Sequence, residues 1–200
     1  MNADDVTRTV TLARDVLTGA AGLDWQVPAG TLEWTCWETV EHMCDDLFSY
    51  AAQLSAAPSA RTTYLPFGWK YHREGGPPLA IYGDKAEGPS GLISVFEACG
   101  ALLASMVATT PADRISFHNY GPSDPSGFAA MSVVEVLTHM HDVAGGLGFS
   151  WTPPADLCAS ALRRLFPDAP AGGDPWETLL DVTGRGPVPR EDWRWDGAPR

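Results

Sequence analysis

The sequence predicts an all-α chain. Four long helices pack as a bundle, long crossover loops join them, and two short helices follow at the C-terminal end. Three observations carry this. Apolar residues recur at helical spacing in four separate stretches. Capping residues, Pro and Gly punctuate the ends of those stretches. No run alternates apolar and polar residues as a half-buried strand would. The 200 residues suit one domain with a short appendage: a bundle over 1–150, then short helices and an extended Trp-rich tail packed on it over 151–200.

The first helix is expected from Asp4 to about Gly19, with Val6, Val10, Ala13, Val16 and Leu17 on one face. A Gly/Pro-rich connection follows around Gly22 to Gly30. Thr35 and Glu38 form a capping-box pattern that opens a second helix running to about Leu54. Pro58 to Gly88 mixes Pro, Gly and aromatics without a period, with room for a turn of helix or a short hairpin. A loop that long in a compact domain is commonly a lid or a binding loop. The third helix opens at Pro89 or Ser90 and ends near Thr109. A polar connection over 110–128 leads to the fourth, about Ala129 to Ala144, with Gly145-Gly146 as its C-cap. Thr152-Pro-Pro starts a short helix ending near Phe166. Asp174 caps another, with Pro175 in its first turn, ending at Gly184. The tail from Arg185 to Arg200 carries Trp193 and Trp195 and is expected to lie extended over the body.

Composition narrows the functions. At 44% hydrophobic residues the chain can bury a sizeable core. A formal net charge of −12 argues against nucleic acid and against anionic membrane surfaces, since both reward clustered Lys and Arg. The N-terminus lacks the apolar segment of a signal peptide, and no membrane-spanning run of about 18 apolar residues is expected. Cys36, Cys44, Cys99 and Cys158 are scattered without a C-x-x-C pair, the pattern of buried thiols in a reduced, cytoplasmic protein. No G-x-S-x-G, P-loop or G-x-G-x-x-G occurs.

Glu135 and His139 are four residues apart in the fourth helix, and His42 lies in the second. Residues at that spacing sit about 40° apart around a helix and about 6 Å along it, so their donors can converge on one ion. Two His and one Glu can hold a transition metal and leave a coordination position open. Glu38 and His42 repeat the spacing, however, and such a pair is also an ordinary exposed ion pair worth about 0.3 kcal/mol. In both helices the polar residues lie opposite the main apolar stripe. They form either two solvated faces or two faces that meet in a cleft under the long loop and the tail.

Two longer segments carry more information. Trp34-Thr-Cys-Trp-Glu-Thr-Val-Glu-His42 resembles the W-T-V-x-x-x-V-x-H segment of the mycothiol-dependent maleylpyruvate isomerase N-terminal family, a branch of the DinB-like four-helix bundles. Glu135-Val-Leu-Thr-His139-Met-His-Asp142-Val-Ala-Gly-Gly-Leu-Gly148 resembles that family's E-L-L-x-H-x-W-D-L-A-x-x-L-G segment. The closing Thr183-Gly-Arg-Gly-Pro and Trp193-Arg-Trp-Asp-Gly-Ala-Pro are similar to the tails of its members. The resemblance implies a DinB-like bundle with a divalent metal, usually zinc, on His42, Glu135 and His139. It also implies mycothiol or a related thiol as cosubstrate. His141 departs from the family's Trp, and the family's full-length isomerases carry a further C-terminal domain that this chain is too short to hold. That weighs against maleylpyruvate isomerisation itself.

The expected chemistry is therefore a thiol S-transferase or isomerase-like reaction on a small electrophilic molecule, because metal coordination deprotonates a bound thiol. A metal-dependent hydrolase or lyase without a thiol, and a non-catalytic metal- or ligand-binding module, stay open beside it. Asp45, Asp46 and Asp142 are candidates to orient the imidazoles. Lys70, His72 and Arg73 are candidates to bind an anionic group of substrate or cofactor. Tyr64, Phe67, Trp69 and Tyr71 are candidates for an apolar wall. A small-molecule substrate is the expected partner, with homodimerisation open.

Overall fold

The structure is a computed structural model and describes residues 1–56, 61–188 and 192–200. Six α-helices dominate it: α1 (Ala3–Gly19), α2 (Cys36–Ser55), α3 (Gly88–Thr109), α4 (Pro125–Leu147), α5 (Ala155–Leu165) and α6 (Pro175–Val182). Two short antiparallel strands, β1 (Lys70–Tyr71) and β2 (Pro78–Leu79), pair within the long loop. The fold is all-α, as expected. The first residues of that loop, Pro58 to Ala60, lie outside the described residues, as do the tail's Pro189, Arg190 and Glu191.

The sequence explains the helix ends. Asn2 caps α1 by accepting from Asp4 and Asp5 amides, and Asp5 answers at the Asn2 amide. Thr35 and Glu38 form the reciprocal box that starts α2. α4 is longer than its apolar period suggested. Asp124 caps it at the Gly127 amide, 2.7 Å away, and Pro125 fills the first turn. It also runs through Gly145-Gly146 to Gly148, whose left-handed φ of 76° makes it the C-cap. Gly146 serves packing instead: a Cβ there would lie 2.3 Å from the Pro28 carbonyl and 2.6 Å from Cys36 Sγ. The bare backbone lets α4 press against the loop that leads into α2.

α1 and α2 each pack against both α3 and α4, α5 lies on α4, and α6 lies on α5. One apolar core joins them, from Val6 on α1 to Trp195 in the tail. Most of α4 is buried, on more than one face. Each Leu, Met or Phe sealed there, such as Leu137, Met140 and Phe128, stabilises the fold by about 2 kcal/mol. α3 corrects one expectation: Lys85–Thr109, with a mean hydropathy of 1.8, is long and apolar enough to cross a membrane. Here its Phe96, Cys99, Gly100 and Leu103 face the core, and its Glu97 pairs with Arg14 of α1 at 2.8 Å.

Gly146→Ala should lower stability by about 2 kcal/mol, because backbone must move to admit the methyl group. Gly22→Ala, with open space around it, should leave stability unchanged or slightly raised. Urea denaturation of both variants checks this.

Candidate metal centre

The polar faces of α2 and α4 meet each other. Donor atoms of His42, Glu135 and His139 all lie within 4.8 Å of one another. Glu135 Oε2 stands 3.2 Å from His139 Nε2. Two ligands of a tetrahedral ion, each about 2.05 Å from it, are about 3.3 Å apart, so this pair already has the separation a shared ion needs. The His42 and His139 rings lie 5.0 Å apart, edge to face. Trp34 packs on both, at 4.9 and 6.2 Å. It is held there because residues 25–37 fold back on themselves through the Ala29–Trp34, Cys36–Val27 and Trp37–Trp25 backbone hydrogen bonds.

Of the three aspartates expected to orient imidazoles, each does something different. Asp142 Oδ2 is 3.1 Å from His139 Nδ1, and a proton donated from Nδ1 to that carboxylate would leave Nε2, which faces Glu135, free to take an ion. Arg185 grips the same carboxylate with Nε and Nη2, the latter at 2.7 Å, and also donates to the Thr183 carbonyl. Asp46 Oδ2 lies 3.3 Å from His42 Nε2 without hydrogen-bond geometry, and has no other partner among the described residues. Asp45 does not touch an imidazole; it accepts from the Ala80 and Ile81 amides at 2.7 and 2.8 Å.

Asp45 is part of a pattern. Glu38 pairs with Arg73, Glu41 accepts from the Gly83 amide at 3.0 Å, and Gln53 both accepts from Leu65 and donates to Thr63. One side of α2 thus straps the long loop down over the site. This also places the candidate anion binders. Arg73 is taken by Glu38 and the Glu33 carbonyl, and Lys70 sits 5.7 Å from the Tyr82 ring. His72 packs on Tyr82 as well. None of the three lines the cavity beside His42. His141 is half-buried against Trp176, away from the three donors. All four cysteines are buried and free; Cys36 Sγ contacts the Pro28 and Val143 carbonyls instead of the site.

His42 and Glu135 open onto a cavity of about 360 Å³. Asp45 and Asp46 line it beside them, Tyr64, Phe67 and Trp69 come from the long loop, and Trp195 comes from the tail. Tyr71, the fourth expected wall residue, is exposed instead. Several lining residues escaped sequence analysis, among them Tyr50 of α2 and His118 and Tyr120 of the loop before α4. Tyr50 carries no ligand or charge signal within the second helix, and His118 lies in a connection with no motif. Arg185 was visible only as a letter in the Thr-Gly-Arg-Gly-Pro segment. None of these could be placed by helical period.

The electrostatics suit a cation. Burial alone pushes Asp46 well above the usual carboxylate range, and neighbouring Glu135 and Asp45 push it further. Burial also works against Glu135 and Asp142. Hydrogen bonds from His139 hold Glu135 below the ordinary range, and those from His139 and Arg185 do the same for Asp142. A buried carboxylate oxygen without a donor is costly unless a proton or a cation meets it. Here that oxygen belongs to Asp46, beside a cluster of three metal-type donors. The donor set therefore fits a divalent ion, and zinc in particular takes such nitrogen and oxygen ligands.

Buried imidazoles give a pH signature. Burial first, then the charge of His139, brings His42 down to about 4; burial brings His118 to about 4. Unfolded histidines titrate near ~6.5, so between those limits the unfolded chain binds more protons. Stability is complete above the upper limit and falls as pH drops toward the lower one, by about 3 kcal/mol for each ring. His139 does not join them. Burial lowers it, but Asp142 and Glu135 outweigh that and hold it above its ordinary value, so it is charged in both states there. Urea midpoints of chelator-treated protein across this range should show the slope, and His118→Phe should remove about half of it. Asp142→Asn should cost about 3 kcal/mol, since it leaves Arg185 buried against a neutral amide. The same change should weaken zinc binding at least about tenfold, read by competition with a chromophoric chelator.

Compared with known proteins, the chain matches no family model, no curated protein and no solved structure.

Proposed function

We propose that this chain is a DinB-like four-helix bundle holding a divalent metal, most simply zinc, on His42, Glu135 and His139. The observation that carries the reading is the convergence of those three side chains from two helices, with His139 oriented by Asp142 and Arg185. When bound, the ion would act as a Lewis acid that turns a coordinated thiol into a thiolate or a coordinated water into hydroxide. The protein's own contributions are separable. Asp142, gripped by Arg185, orients the ring of His139. Trp34 restricts water over both imidazoles. The long loop, tied to α2, walls the cavity into which His42 and Glu135 open.

The activity we assign is an S-transferase or isomerase-like reaction on a small electrophile, with mycothiol or a similar thiol as cosubstrate, in the cytoplasm and away from nucleic acid and membranes. The paired Trp34–His42 and Glu135–Asp142 segments support it by resemblance. A second reading, hydrolysis without a thiol, draws on one observation: Asp46 lines the cavity beside His42, and burial holds its carboxylate well above the usual range, which suits a group that accepts a proton.

Protein purified without a metal-affinity tag should carry one divalent ion per chain by elemental analysis, and His139→Ala should lose it. Chelation should lower the melting temperature. No stoichiometric metal and an unchanged melting temperature would sink the reading. With metal present, turnover of an enone or epoxide only when a thiol is added selects the transferase; turnover without thiol selects the hydrolase.

A further inference from the structure

His118 is buried in the fold, 5% exposed, yet one of its nitrogens is left unused. Its Nδ1 accepts a hydrogen bond from the Tyr120 amide at 3.1 Å. An imidazole nitrogen that accepts carries no proton, so in the neutral ring the proton sits on Nε2. Nε2 has no protein partner among the described residues, and it is not among the sealed, unpartnered polar atoms. It therefore keeps access to open space, and the space His118 lines is the cavity that His42 and Glu135 also line. Burial holds the ring neutral at ordinary pH.

The surroundings fix the ring's direction and limit what can meet it. Trp195 and Tyr120 pack on it at 5.4 and 5.3 Å, and Tyr50 at 5.9 Å. Tyr64 hydrogen-bonds both ways with Asn119, which pins the adjoining loop. The cavity is walled by aromatics and three carboxylates, and among the described residues no Lys or Arg lines it; Arg194 stacks on Tyr120 without reaching the lining. An anion would face those carboxylates with no described Lys or Arg beside them. A neutral molecule with an apolar body would face rings and uncharged polar groups, the His118 Nε2–H among them.

We propose that His118 contacts the substrate, its Nε2–H donating a hydrogen bond to an acceptor oxygen of an uncharged, largely apolar molecule held between the aromatic wall and the His42/Glu135/His139 cluster. The inference rests on the cavity being the substrate pocket of that cluster. It names the substrate class the cavity selects: neutral carbonyl or ether-type oxygen compounds over carboxylates.

The test uses acetophenone as a neutral acceptor and benzoate as its charged counterpart, on the full chain with and without added zinc. Nitrogen-15 NMR of the imidazoles should find the His118 proton on Nε2. Acetophenone should shift that resonance, and in the zinc-free protein benzoate should bind at least about tenfold more weakly. His118→Phe, which keeps the ring packing, should weaken acetophenone about tenfold, while His118→Gln, whose amide can reach the same point, should stay within about threefold of the parent. The opposite tautomer, no acetophenone shift at His118, equal affinity in the Phe variant, or benzoate binding the zinc-free protein as tightly as acetophenone would each overturn the proposal. The tautomer needs no variant, so it stands even if a substitution disturbs folding. Because acetophenone binding is read without zinc as well, failure of metal binding and failure of the His118 contact are told apart.

Discussion

The site depends on one carboxylate. Asp142 is buried on α4, and it is shared between His139 Nδ1 on its own helix and Arg185 just beyond α6. Those contacts do three things together. They orient His139 with Nε2 toward Glu135. They fix the end of α6 and the start of the tail against α4. They also bury a guanidinium and a carboxylate that neither could sustain unpaired. The Trp-rich tail then continues to Trp195, which packs in the core and on His118. A single ion pair thus links the donor cluster to the wall of its cavity.

The second constraint is on α2, which has two working polar sides. One presents His42 and Asp46 to α4. The other, through Glu38, Glu41, Asp45 and Gln53, satisfies amides and an arginine of the long loop. A loop over a buried site must have its backbone groups paired, and carboxylates at helical spacing supply acceptors in a row. The acidity of this helix is structural as much as chemical. It explains why Arg73, which looks free in the sequence, holds the loop instead of binding an anion.

Helices and donors were legible in the sequence because both follow the helical period. The Thr35–Glu38 box, the two apolar stripes and the i,i+4 pair on α4 are local patterns, and the structure places them as expected. α4 outran its prediction because its first turn is set by Asp124 and Pro125 rather than by apolar period, and because Gly146 serves a neighbour instead of ending a helix. The cavity residues were less legible. Tyr50 sits on a helix stripe that is mostly core, and His118 gains its meaning only when Tyr120 turns its amide back onto Nδ1. Such roles arise from contacts between distant segments, which no spacing within one segment encodes.

What the geometry favours chemically follows from the imbalance of charge. The cluster and its cavity gather Glu135, Asp46 and Asp45 in a region where the part-buried guanidinium of Arg185 is already committed to Asp142. A divalent cation would offset that excess at the three-donor end and leave Asp46 beside it. The other end offers neutral donors, His118 Nε2–H and the Tyr50 hydroxyl, set among rings. Carboxylates at one end, uncharged donors at the other and apolar surface between them match a neutral molecule better than an anion. In a cavity walled largely by rings, most of the specificity falls on the few polar atoms that face inward. His118 is the one of these whose orientation the fold fixes most fully, since a backbone amide, and not a mobile side chain, decides which nitrogen carries the proton.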